Sequence, residues 1–513
     1  MLKKGEQQRG ITLIALVITI VILIILATVS INVVLGEGGL IQRAQEGKDL
    51  TEQAQEEEQA QLDSLLSEIE SVLPFEPQPT PEPEQGETVL ANADKKNGVI
   101  EIKWLSGTSD KVSAEPNAPL IKENLPEGTT MELVRYTGEG TTERERWVAG
   151  TEYSYLPGTG SSDNRSSKWA NARVTIDGID SYFVWIPRYA YRIIYFDSND
   201  SKIAYQNGTL TEEEAKAQGK IKGYSDSRGI VDAEGKKVAN VESTTKTMVS
   251  KDYFMVHPAF TADVTYGGGF GNNNGSSDNG ISGLWIGKYE AARSDTVGST
   301  QGSATTLKVQ PGQTSFRSIK IGDMYTYART YSPTDLKSHM LKNSEWGAVA
   351  YLTESTYGRN GTEIGFNTNS SYLTGGGTGT AYVDSNKLQS STGNEYGIYD
   401  LRGGPSEYVA GYYNGSSSLS SGSSFAINGG PSNEYSTAYN SSGSSSANLY
   451  YKYGDATYET RAWHSDRANF VDSSNPFFGR GGGYNYVDSD TGVFYYTYGN
   501  RYQLAAAARF ALL

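Results

Sequence analysis

The sequence predicts an α+β protein in which a long apolar helix at the N-terminus precedes a loop-rich domain. Two features carry that expectation. Residues 11–35, "ITLIALVITIVILIILATVSINVVL", run for 25 positions without a charged side chain, and a helix rising about 1.5 Å per residue spans a bilayer core at that length. From Thr88 onward the composition turns to Gly, Ser, Thr, Asn and Tyr, with short β-like runs between turn-rich stretches and few helical signals.

Residues 1–10 form a short charged leader ending in Gly10, with Lys3, Lys4 and Arg9 against Glu6. The apolar run is too long for a secretory h-region, and no A-x-A-like site follows it. Positive charge before the helix and an acidic stretch after it keep the leader in the cytoplasm and send the rest of the chain outside.

Residues 36–73 read as an acidic stalk helix. Leu62, Leu65, Leu66, Ile69, Val72 and Leu73 share one helical face. That stripe packs on a neighbouring copy or on the outer domain, or belongs to a plain spacer. "PFEPQPTPEPEQGE" at 74–87 alternates Pro with charge and makes an extended spacer of roughly 3 Å per residue.

Residues 88–164 form a small β-rich segment, with "GVIEIKW" and "TMELVRY" as strands, and 165–513 the main domain. There "SYFVWIPRYAYRIIYF" and "GLWIGKYEA" read as strands, and "LTEEEAKAQG" and "HMLKNSEWGAVAYLTES" as helices. "NGSSSLSSGSSFAINGG" reads as a loop.

Charge and composition exclude several functions. The net charge is −15, yet residues 36–87 alone hold fourteen acidic and two basic side chains, so the large domain is nearly neutral. No basic stripe supports nucleic-acid binding. The chain has no Cys, hence no disulfide, thiolate metal site or cysteine nucleophile. His257, His339 and His464 lack metal-ligand spacing, and no G-x-S-x-G elbow or P-loop occurs. The expectation is a protein that is not an enzyme and needs no cofactor. "DSND" at 197–200 and "VDSD" at 487–490 supply oxygen ligands of the kind Ca²⁺ takes, or make Asx-turns.

Two resemblances extend this reading. The leader followed at once by "GITLIALVITIVILIILATVSI" resembles a type IV prepilin signal of Gram-positive pilin-like surface proteins. The resemblance implies a prepilin peptidase as partner, cleavage after Gly10, N-methylation of Ile11 and assembly with other pilins; Ala15 stands where most pilins have Glu. "GLWIGKYEAARSD", "NSEWGAVAYLTESTYG", "GNEYGIYDLRGGPSEYVAG", "FFGRGGGYNY" and "GNRYQLAAAARFALL" resemble, in order, the motifs of the formylglycine-generating-enzyme type of C-type lectin fold. This implies a C-type lectin-like domain over 165–513. That enzyme works through a cysteine pair, which this chain lacks.

Binding is what remains. Between Gly482 and Tyr502 the chain is rich in Tyr and Asn, the composition of adaptable binding surfaces. Alternation along a strand would place Phe494, Tyr496 and Tyr498 on one face. The candidate ligand-binding residues are Trp463, as a stacking plate, with Tyr484, Tyr486, Tyr496, Tyr498, Asn500, Arg501 and Tyr502. The segment is similar in composition to the variable binding sites of proteins diversified by retroelements. The reading is a membrane-anchored or pilus-associated surface protein whose outer domain binds a carbohydrate or protein ligand; the alternative is a structural minor pilin with no ligand.

Overall fold

A computed structural model describes residues 94–158, 167–222, 224–225, 250–251, 254–264, 267–273, 278–293, 307–376, 381–415, 432–439, 453–486, 490–499 and 506–513. The leader at 1–10, the apolar run at 11–35, the stalk at 36–73, the spacer at 74–87, most of the Ser/Gly-rich loop and the processing residues Gly10 and Ile11 lie outside the described residues.

Aromatic and β-branched runs dominate the described sequence, and they form strands. β1 (Gly98–Trp104), β6 (Tyr189–Tyr195) and β7 (Met255–Val256) make a three-stranded sheet in the order β1-β6-β7. A seven-stranded sheet combines β2 (Thr129–Tyr136), β3 (Trp147–Ala149), β4 (Asn171–Ile176), β5 (Ile179–Pro187), β8 (Gly283–Gly287), β9 (His339–Met340) and β15 (Phe510–Leu512). Its order is β9-β15-β8-β5-β4-β2-β3 and every pairing is antiparallel. A five-stranded sheet is built on β10 (Ser406–Tyr413), which pairs in parallel with β11 (Thr437–Tyr439) and β14 (Ala506–Ala508) and antiparallel with β12 (Phe477–Gly481). β13 (Gly492–Gly499) lies beyond β12.

Local chemistry explains the main turns. Asp177 and Gly178, both at positive φ (48° and 81°), close the β4–β5 hairpin, and Asx-Gly suits the two left-handed positions of such a turn. The β-rich run from Ser181 is divided at Arg188, where the chain passes from the seven-stranded to the three-stranded sheet. Arg188 is fully buried there, donating to Ser109 O and Phe260 O and pairing with Asp110 at 2.7 Å.

The expected α+β class with a long membrane-spanning helix is corrected. The described residues are mostly β-sheet, and no helix among them is long and apolar enough to cross a membrane. The helices are α1 (Glu143–Arg146), α2 (Asn199–Gln206), α3 (Glu212–Ala217), α4 (Ile321–Thr330), α5 (Asn343–Glu354) and α6 (Asp384–Lys387). α5 is the longest, at 12 residues, and is buried all round. Short loops and strand pairing, rather than helix packing, bring the backbone polar groups together. Nor is 88–164 separate: β1, β2 and β3 share sheets with strands from beyond residue 165.

All seven tryptophans are buried, at 3% exposure or less. The core they anchor runs through the sheets and α5, where Trp346 Nε1 donates to Val493 O at 2.8 Å. Burying large rings while pairing most of their N–H groups stabilises a chain that has no disulfides.

Candidate functional site

The predicted binding residues separate into a buried set and an exposed one. Trp463 is 1% exposed and its ring meets Phe494 at 5.1 Å. Tyr496 is fully buried, with Phe470 at 6.4 Å and Arg480 at 5.8 Å from its ring. Both rings are packed into the core rather than presented at the surface, contrary to the expectation from sequence. Strand alternation failed here because β13 is buried on both faces from Gly492 to Tyr496, while residues 467–469 pair with its edge, Asn469 N donating to Tyr496 O at 2.9 Å. Tyr498, on the same strand, emerges at 41% exposure. Asn500, Arg501 and Tyr502 lie outside the described residues.

Tyr484 and Tyr486 lie in the loop between β12 and β13 and do reach the surface, Tyr486 at 42% exposure and Tyr484 half-buried. The Tyr484 ring stands edge-on to Tyr372, with centroids 4.8 Å apart, and the Arg317 guanidinium stacks 3.8 Å from the Tyr372 centroid. Tyr486 lies 6.4 Å from the buried Tyr495 ring. Three separate loops thus bring Arg317, Tyr372, Tyr484 and Tyr486 to one face. Sequence reading missed Arg317 and Tyr372 because they lie more than 100 residues upstream.

A buried charged frame fixes those loops. Arg509 forks onto Glu407 at 2.5 and 3.0 Å and donates to Gly287 O and Tyr399 O. Asp400 accepts from Gly375 N, Gly376 N and Asn367 Nδ2, which holds the segment carrying Tyr372. Ser315, two residues before Arg317, donates its hydroxyl to Glu290 and its backbone N–H to Tyr372 O at 3.0 Å. Tyr484 N donates to Gly404 O at 2.7 Å. Three buried carboxyls face one arginine, so burial, aided by repulsion from Glu407 and Asp400, pushes Glu290 well above the usual carboxyl range.

Other titratable groups have structural partners. Lys288 is fully buried and spends its ammonium on Asn171 Oδ1, Glu395 O and Gly397 O, beside the Trp147 ring; burial lowers its pKa to about 7. His257 is buried and held neutral, its pKa pressed by desolvation to about 3. His339 Nε2 lies 3.0 Å from Glu345. His464 Nε2 meets Glu354 at 2.9 Å, and Glu363 stands 3.9 Å from its Nδ1.

At 197–200, Ser198 caps α2 by accepting from Ser201 N. Only Asp490 of the 487–490 cluster is described, and it pairs with Arg467 at 2.8 Å. No group of three or more His, Asp or Glu among the described residues is placed to hold a metal ion. A cleft of about 460 Å³ also lies along β1, walled by Tyr205, Phe254 and Tyr357 among others. No protein-family model matches the chain, and a search of curated proteins gives no match.

Proposed function

We propose that this chain is a cell-surface, pilin-like protein whose outer domain binds a carbohydrate or protein ligand through the face made by Arg317, Tyr372, Tyr484 and Tyr486. The observation that carries the reading is the convergence of these four side chains, from three loops, over a buried ionic frame. Such a face is preorganised: tyrosine rings offer broad amphipathic contact at little entropic cost, and a stacked guanidinium adds directed donors. The resemblance of residues 1–35 to a prepilin signal supports display outside the membrane, with Gly10 and Ile11 as the processing site.

The test uses glycan and protein arrays probed with the full chain and with Tyr484→Ala/Tyr486→Ala. If the reading holds, a ligand found for the native chain loses binding by at least about tenfold in the variant, since aromatic anchors contribute roughly 1–2 kcal/mol or more each, and the melting temperature does not move. Unchanged adhesion in the variant, with the fold intact, would instead favour a structural subunit without a ligand.

A further inference from the structure

A cavity of about 160 Å³ lies at the end of the β2–β3 hairpin, lined by Tyr136, Arg146, Tyr382 and Val383. Solvent reaches it, since Val383 is 44% exposed and Tyr136 and Arg146 are half-buried. Tyr136 ends β2 opposite Trp147, the first residue of β3, and the connection between them carries α1. A capping box fixes that helix, with Glu145 N donating to Thr142 Oγ1 and Thr142 N to Glu145 Oε2. Arg144 ties it to the sheet through Asp180, at 2.7 and 2.9 Å. Glu143 and Arg146 lie three residues apart on one side of α1, and the Arg146 charge acts on the Glu143 carboxyl.

The wall of the cavity is rigid. The Tyr136 and Tyr382 rings stand 4.9 Å apart at 55° to one another, and Trp147 packs on them at 5.2 and 6.1 Å. Tyr382 Oη donates to Glu143 Oε1, accepts from Trp147 Nε1 at 2.9 Å and meets Tyr289 Oη. One oxygen of Glu143 is thereby taken. The other, Oε2, is buried with no hydrogen-bond partner among the described residues. Burial pushes the carboxyl up to about 7. A buried acceptor in that condition favours a ligand that brings a donor.

Charge and size narrow the ligand further. A carboxylate would meet Glu143 and an ammonium would meet Arg146, so an ion of either sign faces its like. Adjacent hydroxyls, each both donor and acceptor, suit the pair: one gives to Glu143 and the next takes from Arg146. The tyrosine rings offer apolar faces to the C–H side of a saturated ring. The volume matches one such ring, because a cavity of about 150 Å³ holds a single six-membered ring.

We propose that this cavity binds one neutral pyranose ring of a glycan, packed on Tyr136 and Tyr382 with adjacent hydroxyls shared between Arg146 and Glu143. It has no residue in common with the tyrosine face, so the two readings stand or fall separately.

Saturation-transfer NMR on the full chain tests this, with methyl pyranosides of the neutral hexoses as probes and benzoate and benzylammonium as charged comparators. At least one pyranoside is expected to bind, and more tightly than either ion. Tyr136→Ala and Arg146→Ala each weaken that binding about tenfold, whereas Tyr484→Ala/Tyr486→Ala leaves it unchanged. Arg146→Ala, at a half-buried position, serves if Tyr136→Ala does not fold. The proposal is overturned if no pyranoside binds, if either ion binds more tightly than every pyranoside, or if pyranoside binding survives Arg146→Ala. Loss of binding in Tyr484→Ala/Tyr486→Ala alone also overturns it and assigns the sugar to the tyrosine face.

Discussion

The indole of Trp463 occupies the place where a side chain on Gly98 would begin: a Cβ there would lie 2.1 Å from Trp463 Cζ2. Gly98 opens β1, opposite Tyr195, so the tryptophan closes the end of the three-stranded sheet. Gly98→Ala should cost about 1–3 kcal/mol, because the ring has to leave its packed position. Trp463→Ala should cost about 3–5 kcal/mol through the cavity it leaves. Chemical denaturation measures both, and a Trp463→Ala protein of native stability would show that the indole is not part of the core.

Arg509 binds Glu407 through two hydrogen bonds, and both side chains are fully buried. Arg509→Met leaves Glu407 and Asp400 without their cation and should destabilise by about 3–5 kcal/mol. Arg509→Lys keeps the charge but cannot reproduce the fork, so it should fall between the two. Equal stability of all three proteins would contradict the frame described above.

His464 is half-buried, and the loss of solvent by itself lowers its pKa, yet attraction to Glu354 and Glu363 outweighs this and raises it to about 9 from 6.5. A histidine with a raised folded pKa gives stability that is complete below the unfolded value and is lost as pH rises through the folded one. Wild-type stability should therefore fall between about pH 6.5 and 9, by on the order of 2 kcal/mol relative to His464→Gln. Melting curves across that range give the answer; parallel profiles for the two proteins would rule the ion pair out as the cause.

Runs with strong local signals were readable in the sequence. "GVIEIKW", "TMELVRY" and "GLWIG" are strands, and Thr211 with Glu214 caps α3 where "LTEEEAKAQG" suggested a helix. α4 was not foreseen, since its "IGDMYTYART" mixes Gly with aromatic and β-branched residues and has no side-chain cap. At the candidate site, Tyr484 and Tyr486 were legible from composition. Tyr496 and Trp463 were misplaced because an aromatic residue looks the same in sequence whether it covers a core or fills one. Arg317 and Tyr372 join the face through long-range loop contacts, which no local pattern encodes.

The C-terminal aromatic residues divide into a buried frame and an exposed face. Nitration of the native full chain with tetranitromethane, followed residue by residue by peptide mass spectrometry, tests that division most directly. Tyr486 and Tyr498 should be modified first, and Tyr496 only once the protein unfolds. Nitration of Tyr496 as fast as Tyr486 in the folded protein would contradict the account.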